Sequence, residues 1–167
     1  MQRHTIAVLV NDQPGVLTRV ANLFGQRGFN IDSITVGATE EKGLSRMIIS
    51  TGGSDQEINQ LMKQLIKLID CLSVTNLSEN QMVSRELALI KVNAAPNQLV
   101  ELNGIVEPFR ATIVDIGPSS LIVQVTGDSE KIDALVTLLE PYGIAELTRT
   151  GSLAMARSIV AVPASVE

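Results

Sequence analysis

Aromatic residues are nearly absent from this sequence of 167 residues, which has no Trp, one Tyr and three Phe. Nucleic acids that are bound as single strands usually stack their bases on aromatic side chains, and this chain lacks the material for such a platform. Runs of Lys and Arg are also missing, and the formal net charge is −5. Because phosphate backbones are bound by basic surfaces, we expect no nucleic-acid partner.

Cysteine and histidine occur once each, as Cys71 and His4. A single cysteine cannot form an intramolecular disulfide, and one residue of each kind is too few for a structural zinc site, so we expect no metal. No apolar run approaches the roughly 20 residues of a membrane-spanning helix. The first residues lead directly into a strand pattern, without the apolar stretch of a signal peptide. These absences predict a cytoplasmic protein that does not enter membranes.

The sequence contains one pattern of elements twice. In the first half, an apolar strand pattern leads through a Pro-Gly turn into a helix pattern, which is followed by two strands, a second helix and a last strand. Ser54 and Glu57 have the spacing of a capping box at the start of the second helix. The same order recurs after a polar segment. We therefore predict an α+β protein of two tandem ferredoxin-like βαββαβ units, with antiparallel sheets and helices on one face. The predicted boundaries are 1–78 for the first unit, 79–84 for a linker, 85–150 for the second unit and 151–167 for a tail.

The open face of each predicted sheet indicates that the protein is an oligomer. Both helices of a βαββαβ unit cover the same face, so nothing in the unit covers the other one. The first strand, at residues 5–10, is nonetheless apolar on both sides. Units of about 75 residues also bury a limited fraction of their surface. We expect dimerisation, with sheets joined edge to edge or stacked face to face.

The turn between the first strand and the first helix is the best candidate for a binding site. Gly15 lets a ligand approach the backbone closely, and Pro14 removes an N–H that would otherwise lack a partner. We expect the N–H groups of Gly15, Val16 and Leu17 to be free at the positive end of the helix dipole, where they would suit a carboxylate. Taken alone, however, Asp12-Gln13-Pro14-Gly15 is more often ordinary turn and capping chemistry.

A second candidate lies where the chain enters the second strand, at Asn30 and Ile31. An Asn amide has both donors and acceptors, so Asn30 could contact an ammonium or a carboxylate group. The plainer interpretation is that Gly28 and the residues after it cap the first helix.

No catalytic constellation can be assembled. His4 is expected at the fraying start of a strand without a partner, and Cys71 is expected to be a small buried hydrophobe. Without a nucleophile, a base and a group to orient it, we predict no catalytic residue.

Several segments carry a family resemblance. GFNIDSITV at residues 28–36 and LSRM at 44–47 resemble the N-terminal ACT domain of the small, regulatory subunit of acetolactate synthase (acetohydroxyacid synthase). FRATIVDI at residues 109–116 and the strand pattern at 85–92 resemble the C-terminal domain of that subunit. The resemblance follows the order of the family over nearly the whole chain.

The resemblance implies a subunit of branched-chain amino-acid biosynthesis that has no catalytic site or cofactor of its own. Its partner would be the large catalytic subunit, which holds thiamine diphosphate, FAD and magnesium. The small subunit would activate this partner and confer feedback inhibition by L-valine, bound between the ACT domains of a homodimer. Carried over position by position, one protomer would contribute Asp12, Gly15, Val16 and Leu17, and the other Asn30 and Ile31. Many relatives have Asn where this chain has Asp12, so the role of Asp12 is less well defined than that of Gly15.

Two alternatives have a different partner or a different chemistry. A stand-alone ACT sensor could control transcription or another enzyme, although the chain has no basic patch and no helix-turn-helix pattern. An enzyme such as an acylphosphatase would need an Arg beside the anion-binding loop, and the nearest one, Arg19, falls within the predicted helix.

Overall fold

The computed structural model describes residues 2–79 and 81–158. The chain divides into two compact units, the first formed by Met1–Val83 with Ser152–Glu167 and the second by Ser84–Gly151. No helix among the described residues is long and apolar enough to cross a membrane.

The first unit has the predicted order of elements. They are β1 (Gln2–Asn11), α1 (Val16–Gln26), β2 (Ser33–Ala38), β3 (Leu44–Gly53), α2 (Asp55–Leu65) and β4 (Cys71–Asn76). The strands lie in the order β2-β3-β1-β4, and each neighbouring pair is antiparallel. β1 alternates, so Ile6, Val8 and Val10 face the helices and are buried. They pack against the apolar stripes of α1 and α2, which makes one core.

Local sequence explains where the helices of this unit begin and end. Gly28 has φ +75°, a left-handed conformation that glycine adopts without strain, and it follows the end of α1 as predicted. Ser54 and Glu57 form the predicted capping box at the start of α2. The Ser54 hydroxyl accepts from the Glu57 N–H at 3.3 Å, and the Ser54 N–H donates to the Glu57 carboxylate at 2.9 Å.

The second unit repeats the order. Its elements are β5 (Met82–Asn93), α3 (Leu99–Val106), β6 (Thr112–Ile116), β7 (Ser120–Gly127), α4 (Ser129–Leu139) and β8 (Ile144–Arg149). The strands lie in the order β6-β7-β5-β8, and the helices supply the other half of a second core. The prediction of two antiparallel α+β units is therefore confirmed.

A cluster of three charged side chains, which the sequence pattern did not indicate, connects three elements of the second unit. The Arg149 guanidinium contacts the buried Glu86 carboxylate and also Asp133. These residues belong to β8, β5 and α4. Burying Glu86 without such a partner would be costly, so loss of Arg149 should destabilise this unit.

Two expectations differ from the structure at the ends of the units. β5 begins at Met82, inside the segment 79–84 expected as a linker, and Leu153–Ala156 of the expected tail forms a short strand, β9. Asn80 and residues 159–167 lie outside the described part of the chain.

The open face of the first sheet, which nothing in residues 1–78 was expected to cover, is contacted by the segment expected as a tail. Thr5, Ile48 and Ser50, which point away from the helices, are buried. On the same face, the Thr35 hydroxyl donates to the Ser152 carbonyl at 3.4 Å. The segment after the second unit thus returns to the first one.

Replacing Ser54 with Ala should lower the free energy of unfolding by about 1 kcal/mol, because the Glu57 N–H at the start of α2 loses its acceptor, the Ser54 hydroxyl. Hydrogen bonds from Ser54 hold the pKa of the Glu57 carboxyl below its usual value. A lowered folded-state pKa gives stability that is lost as the pH falls through that value, so the deficit of Ser54→Ala should shrink in acid. Urea unfolding at pH 7 and pH 4 measures both effects. An equal loss for Gln56→Ala, the exposed neighbour, would contradict this account.

Candidate functional site

The turn after β1 is fixed by hydrogen bonds to both neighbouring strand ends. The Asn11 N–H donates to the Asp70 carbonyl at 2.9 Å, and the Asp12 N–H donates to the Gly43 carbonyl at 2.8 Å. Gly15 stands immediately before α1 with φ +84°, which strains any residue that has a Cβ. The turn is therefore a defined backbone feature, and it requires glycine at this position.

The free donors at this turn are fewer than expected. The Val16 N–H donates to the Gln13 carbonyl at 3.3 Å, so the prediction that all three N–H groups are free was wrong for Val16. The side chain of Val16 is buried in the core. Among the described residues no acceptor contacts the N–H groups of Gly15 and Leu17, and Leu17 leaves 46% of its surface exposed. Two donors at a helix start and one exposed apolar side chain remain available to a ligand.

Arg19 is the residue of this turn that the sequence argument missed. Its guanidinium forms a salt bridge with Asp70, the residue just before β4. Its Nη1 atom would lie 3.6 Å from a Cβ placed on Gly15, so the charge stands beside the bare face of the glycine. The four-residue spacing from Gly15 puts Arg19 one helical turn above it, and that spacing was the available signal.

The second candidate segment lies before β2. The exposed Asn30 amide donates to the Asp32 carboxylate at 3.1 Å, and the Asn30 carbonyl accepts from the Thr51 hydroxyl at 2.6 Å. Ile31 is half-buried against the core. An open cavity of about 740 Å³ adjoins this segment, and its lining includes Asn30, Asp32, Arg27, Glu57 and Lys63.

The two candidate segments lie at opposite ends of the same sheet. Asn30 is bonded to Thr51, whose strand partner is His4, whereas the turn at Asp12 follows Asn11. His4 and Asn11 are seven residues apart on β1, about 23 Å at the usual strand rise of roughly 3.3 Å. One chain therefore does not bring Gly15 and Asn30 together, and a ligand the size of an amino acid cannot touch both.

His4 lies 3.7 Å from the Asp55 carboxylate through its Nε2 atom, and Cys71 is half-buried at the start of β4. His4 was expected at a fraying strand end, but it is only 1% exposed, and its Nε2 atom lies 3.3 Å from the Gly53 carbonyl. Its burial depends on β3, 49 residues away, which the local pattern could not indicate. Burial raises the pKa of the Cys71 thiol to about 11, which disfavours the nucleophilic thiolate. Within residues 2–79 and 81–158, no group of three or more His, Cys, Asp or Glu side chains could hold a metal ion.

Comparison with known proteins gives one consistent family. Residues 6–73 match the family described as "AHAS small subunit-like ACT domain", and residues 85–158 match "Small subunit of acetolactate synthase". The acetolactate synthase small subunit of Bacillus subtilis is 50% identical over 157 residues, covering 93% of this chain and 91% of that protein. The one from Mycolicibacterium smegmatis is 47% identical over 154 residues, covering 92% of this chain and 91% of that protein.

A solved structure supports the same assignment. The crystal structure of the acetolactate synthase small subunit from Thermotoga maritima has a TM-score of 0.85 and 43% sequence identity with this chain. The match covers 94% of this chain and 98% of that one. The similarity therefore extends through both units.

Alkylation of Cys71 by iodoacetamide at pH 8 should be about a hundredfold slower in the folded protein than in urea. A thiol with its pKa raised to about 11 is almost entirely protonated at that pH, whereas an unperturbed thiol is partly ionised. Mass spectrometry of quenched samples measures the rate. Comparable rates in the folded and unfolded chain would show that the thiol is not shielded.

Proposed function

The chain belongs to the family of acetolactate synthase small subunits, which are regulatory subunits, and we propose that it controls the large catalytic subunit of that enzyme in the cytoplasm. In this proposal the chain binds and activates the catalytic subunit and makes it sensitive to valine. Thiamine diphosphate, FAD and magnesium belong to that partner, and the small subunit contributes no catalytic residue.

L-valine is the proposed effector, bound between the first units of two chains. The N–H groups of Gly15 and Leu17, at the positive end of the α1 dipole, hold its carboxylate. Asn30 of the second chain accepts a hydrogen bond from its ammonium group, and Asp12 adds a favourable charge. The isopropyl group covers the exposed part of Leu17 and contacts Ile31, with Val16 beneath, and each buried CH₂ contributes about 0.8 kcal/mol.

The dimer is proposed to form through β2. This strand is an edge of the sheet, carries no charged residue and exposes Val36, which makes it a template for pairing with a second chain. Across the sheet, Ala38 at the end of β2 is level with Val10 at the end of β1. Antiparallel pairing of two β2 strands therefore sets the start of one strand, near Asn30, beside the end of the other, on the side of the Gly15 turn. Pairing through β4 would not do this.

The observation that carries this proposal is the separation of the two half-sites. Each half is exposed and incomplete in one chain, and a two-fold axis at β2 would complete both sites at once. Valine then acts by favouring one pairing of the two sheets, and this shifts the population of the active complex. Couplings of this kind are typically about 1–3 kcal/mol and reciprocal, so the catalytic subunit should change the affinity for valine by the same factor.

Calorimetric titration of the chain with L-valine tests the proposal, with D-valine and L-serine as controls. Saturable binding of L-valine at one or fewer molecules per chain, with weak binding of the controls, supports the effector site. If no heat is detected with the chain alone, the titration is repeated on the complex with the catalytic subunit. Absence of binding there as well would refute the valine site.

Gly15→Asp and Gly15→Asn form a matched pair of variants for this site. Both residues tolerate a positive φ better than other side chains, so the two variants share the backbone strain and differ in charge. Gly15→Asp should abolish inhibition by valine, because its carboxylate stands where the effector carboxylate must bind, while activation of the catalytic subunit persists. Gly15→Asn should retain part of the inhibition. Full valine sensitivity in Gly15→Asp would mean that the pocket is assigned wrongly.

A further inference from the structure

The salt bridge between Arg19 and Asp70 stands at the rim of the proposed effector site. Asp70 is largely buried, with 15% of its side chain exposed, whereas Arg19 leaves 47% of its side chain exposed. The two belong to different parts of the unit, Arg19 to α1 and Asp70 to the segment before β4. Asp70 is held in place independently of Arg19, because its carbonyl accepts the Asn11 N–H. The guanidinium is thus the more exposed partner, and the carboxylate belongs to a residue whose backbone is held by β1.

The Arg19 guanidinium lies close to the space that a ligand at Gly15 would occupy. A ligand that uses the bare face of Gly15 occupies the space that a Cβ would take, and Nη1 of Arg19 is 3.6 Å from that point. An anionic group placed there to accept from the Gly15 and Leu17 N–H groups therefore comes within reach of the guanidinium. Charge-assisted hydrogen bonds from Arg to a carboxylate are stronger than those from neutral N–H groups, and they recognise its planar shape.

We propose that Arg19 binds the carboxylate of the amino-acid effector and that Asp70 competes with the effector for Arg19. This inference rests on the proposed effector site and adds to it a residue for carboxylate recognition and an internal competitor. In the free chain Asp70 occupies the guanidinium. When the effector binds, its carboxylate replaces Asp70 as the acceptor of some of the hydrogen bonds from the Arg19 guanidinium. The affinity for the effector is therefore lower than it would be without Asp70.

The Gly15 turn by itself offers little to hold an anion. With the Val16 N–H donating to Gln13, only two backbone donors face the ligand, and the nearby Asp12 carboxylate opposes an anion. A cation beside Gly15 offsets that repulsion. The site then discriminates by charge, with Arg19 facing the carboxylate and Asp12 and Asn30 facing the ammonium.

Substitutions of Arg19 and of Asp70 should change the affinity for L-valine in opposite directions. Arg19→Gln should weaken binding of L-valine about tenfold, the usual loss for one charge-assisted hydrogen bond in a partly exposed site. Asp70→Asn keeps the shape and the backbone bond but removes the competitor, so it should tighten binding about threefold. Arg19→Lys should fall between Arg19→Gln and the unchanged protein, because it keeps the charge and loses the planar fork.

Calorimetric titrations of these variants with L-valine and with L-valinamide, which lacks the carboxylate, test the proposal. We expect the preference for valine over valinamide to shrink in Arg19→Gln and to grow in Asp70→Asn. A purely structural salt bridge would make both variants weaken both ligands alike, and that result overturns the proposal. Thermal melts show whether each variant folds. If Arg19→Gln does not fold, the direction in which Asp70→Asn changes the affinity for L-valine decides.

The controls separate this inference from the proposed function. If the unchanged protein binds no valine, alone or with the catalytic subunit, the effector site itself is wrong, and this inference falls with it. If the unchanged protein binds valine and Arg19→Gln binds it equally well, only the role of Arg19 is refuted.

Discussion

The antiparallel register of β1 against β3 determines where every part of the proposed effector site stands. It sets the Gly15 turn at one end of the first sheet and, through the contact of Thr51 with Asn30, the second segment at the other end. Neither segment can move along the sheet, because a slip of one residue would turn Ile6, Val8 and Val10 away from the core. The buried face of β1 thus fixes a distance that a small ligand cannot span within one chain. A second copy of the chain is the simplest way to complete the site.

Charge at the Gly15 turn is arranged in a way that fits a zwitterion better than a plain anion. The Arg19 guanidinium stands between the bare face of Gly15 and Asp70, and the exposed Asp12 carboxylate belongs to the same turn. A phosphate would meet the Arg19 guanidinium and two free N–H groups but also the Asp12 carboxylate, whereas an amino acid can present its anion to Arg19 and its cation to Asp12.

The sequence predicted those features that depend on neighbours in the chain. The capping box at Ser54 and the positive φ at Gly28 are local, and the alternation of β1 follows from its own side chains. Features that depend on distant partners were missed. His4 is buried by β3, and the partner of Arg19 is 51 positions away, so neither the burial nor the salt bridge could be predicted, although the spacing from Gly15 indicated where Arg19 stands. The hydrogen bond from Val16 to Gln13 was also missed, because the turn pattern does not specify which N–H the loop itself uses.

Each effector site is proposed to take residues from two chains, and mixed dimers distinguish such a site from one that lies within a single chain. Gly15→Asp and Asn30→Ala should each abolish valine binding as homodimers, because each damages both sites. When the two variants are mixed and allowed to exchange, about half of the dimers contain one of each, and one of their two sites is intact. Calorimetry of the mixture should then recover about a quarter of the sites with normal affinity. If the homodimers fail to bind and mixing restores nothing, the site lies within one chain and the account is wrong.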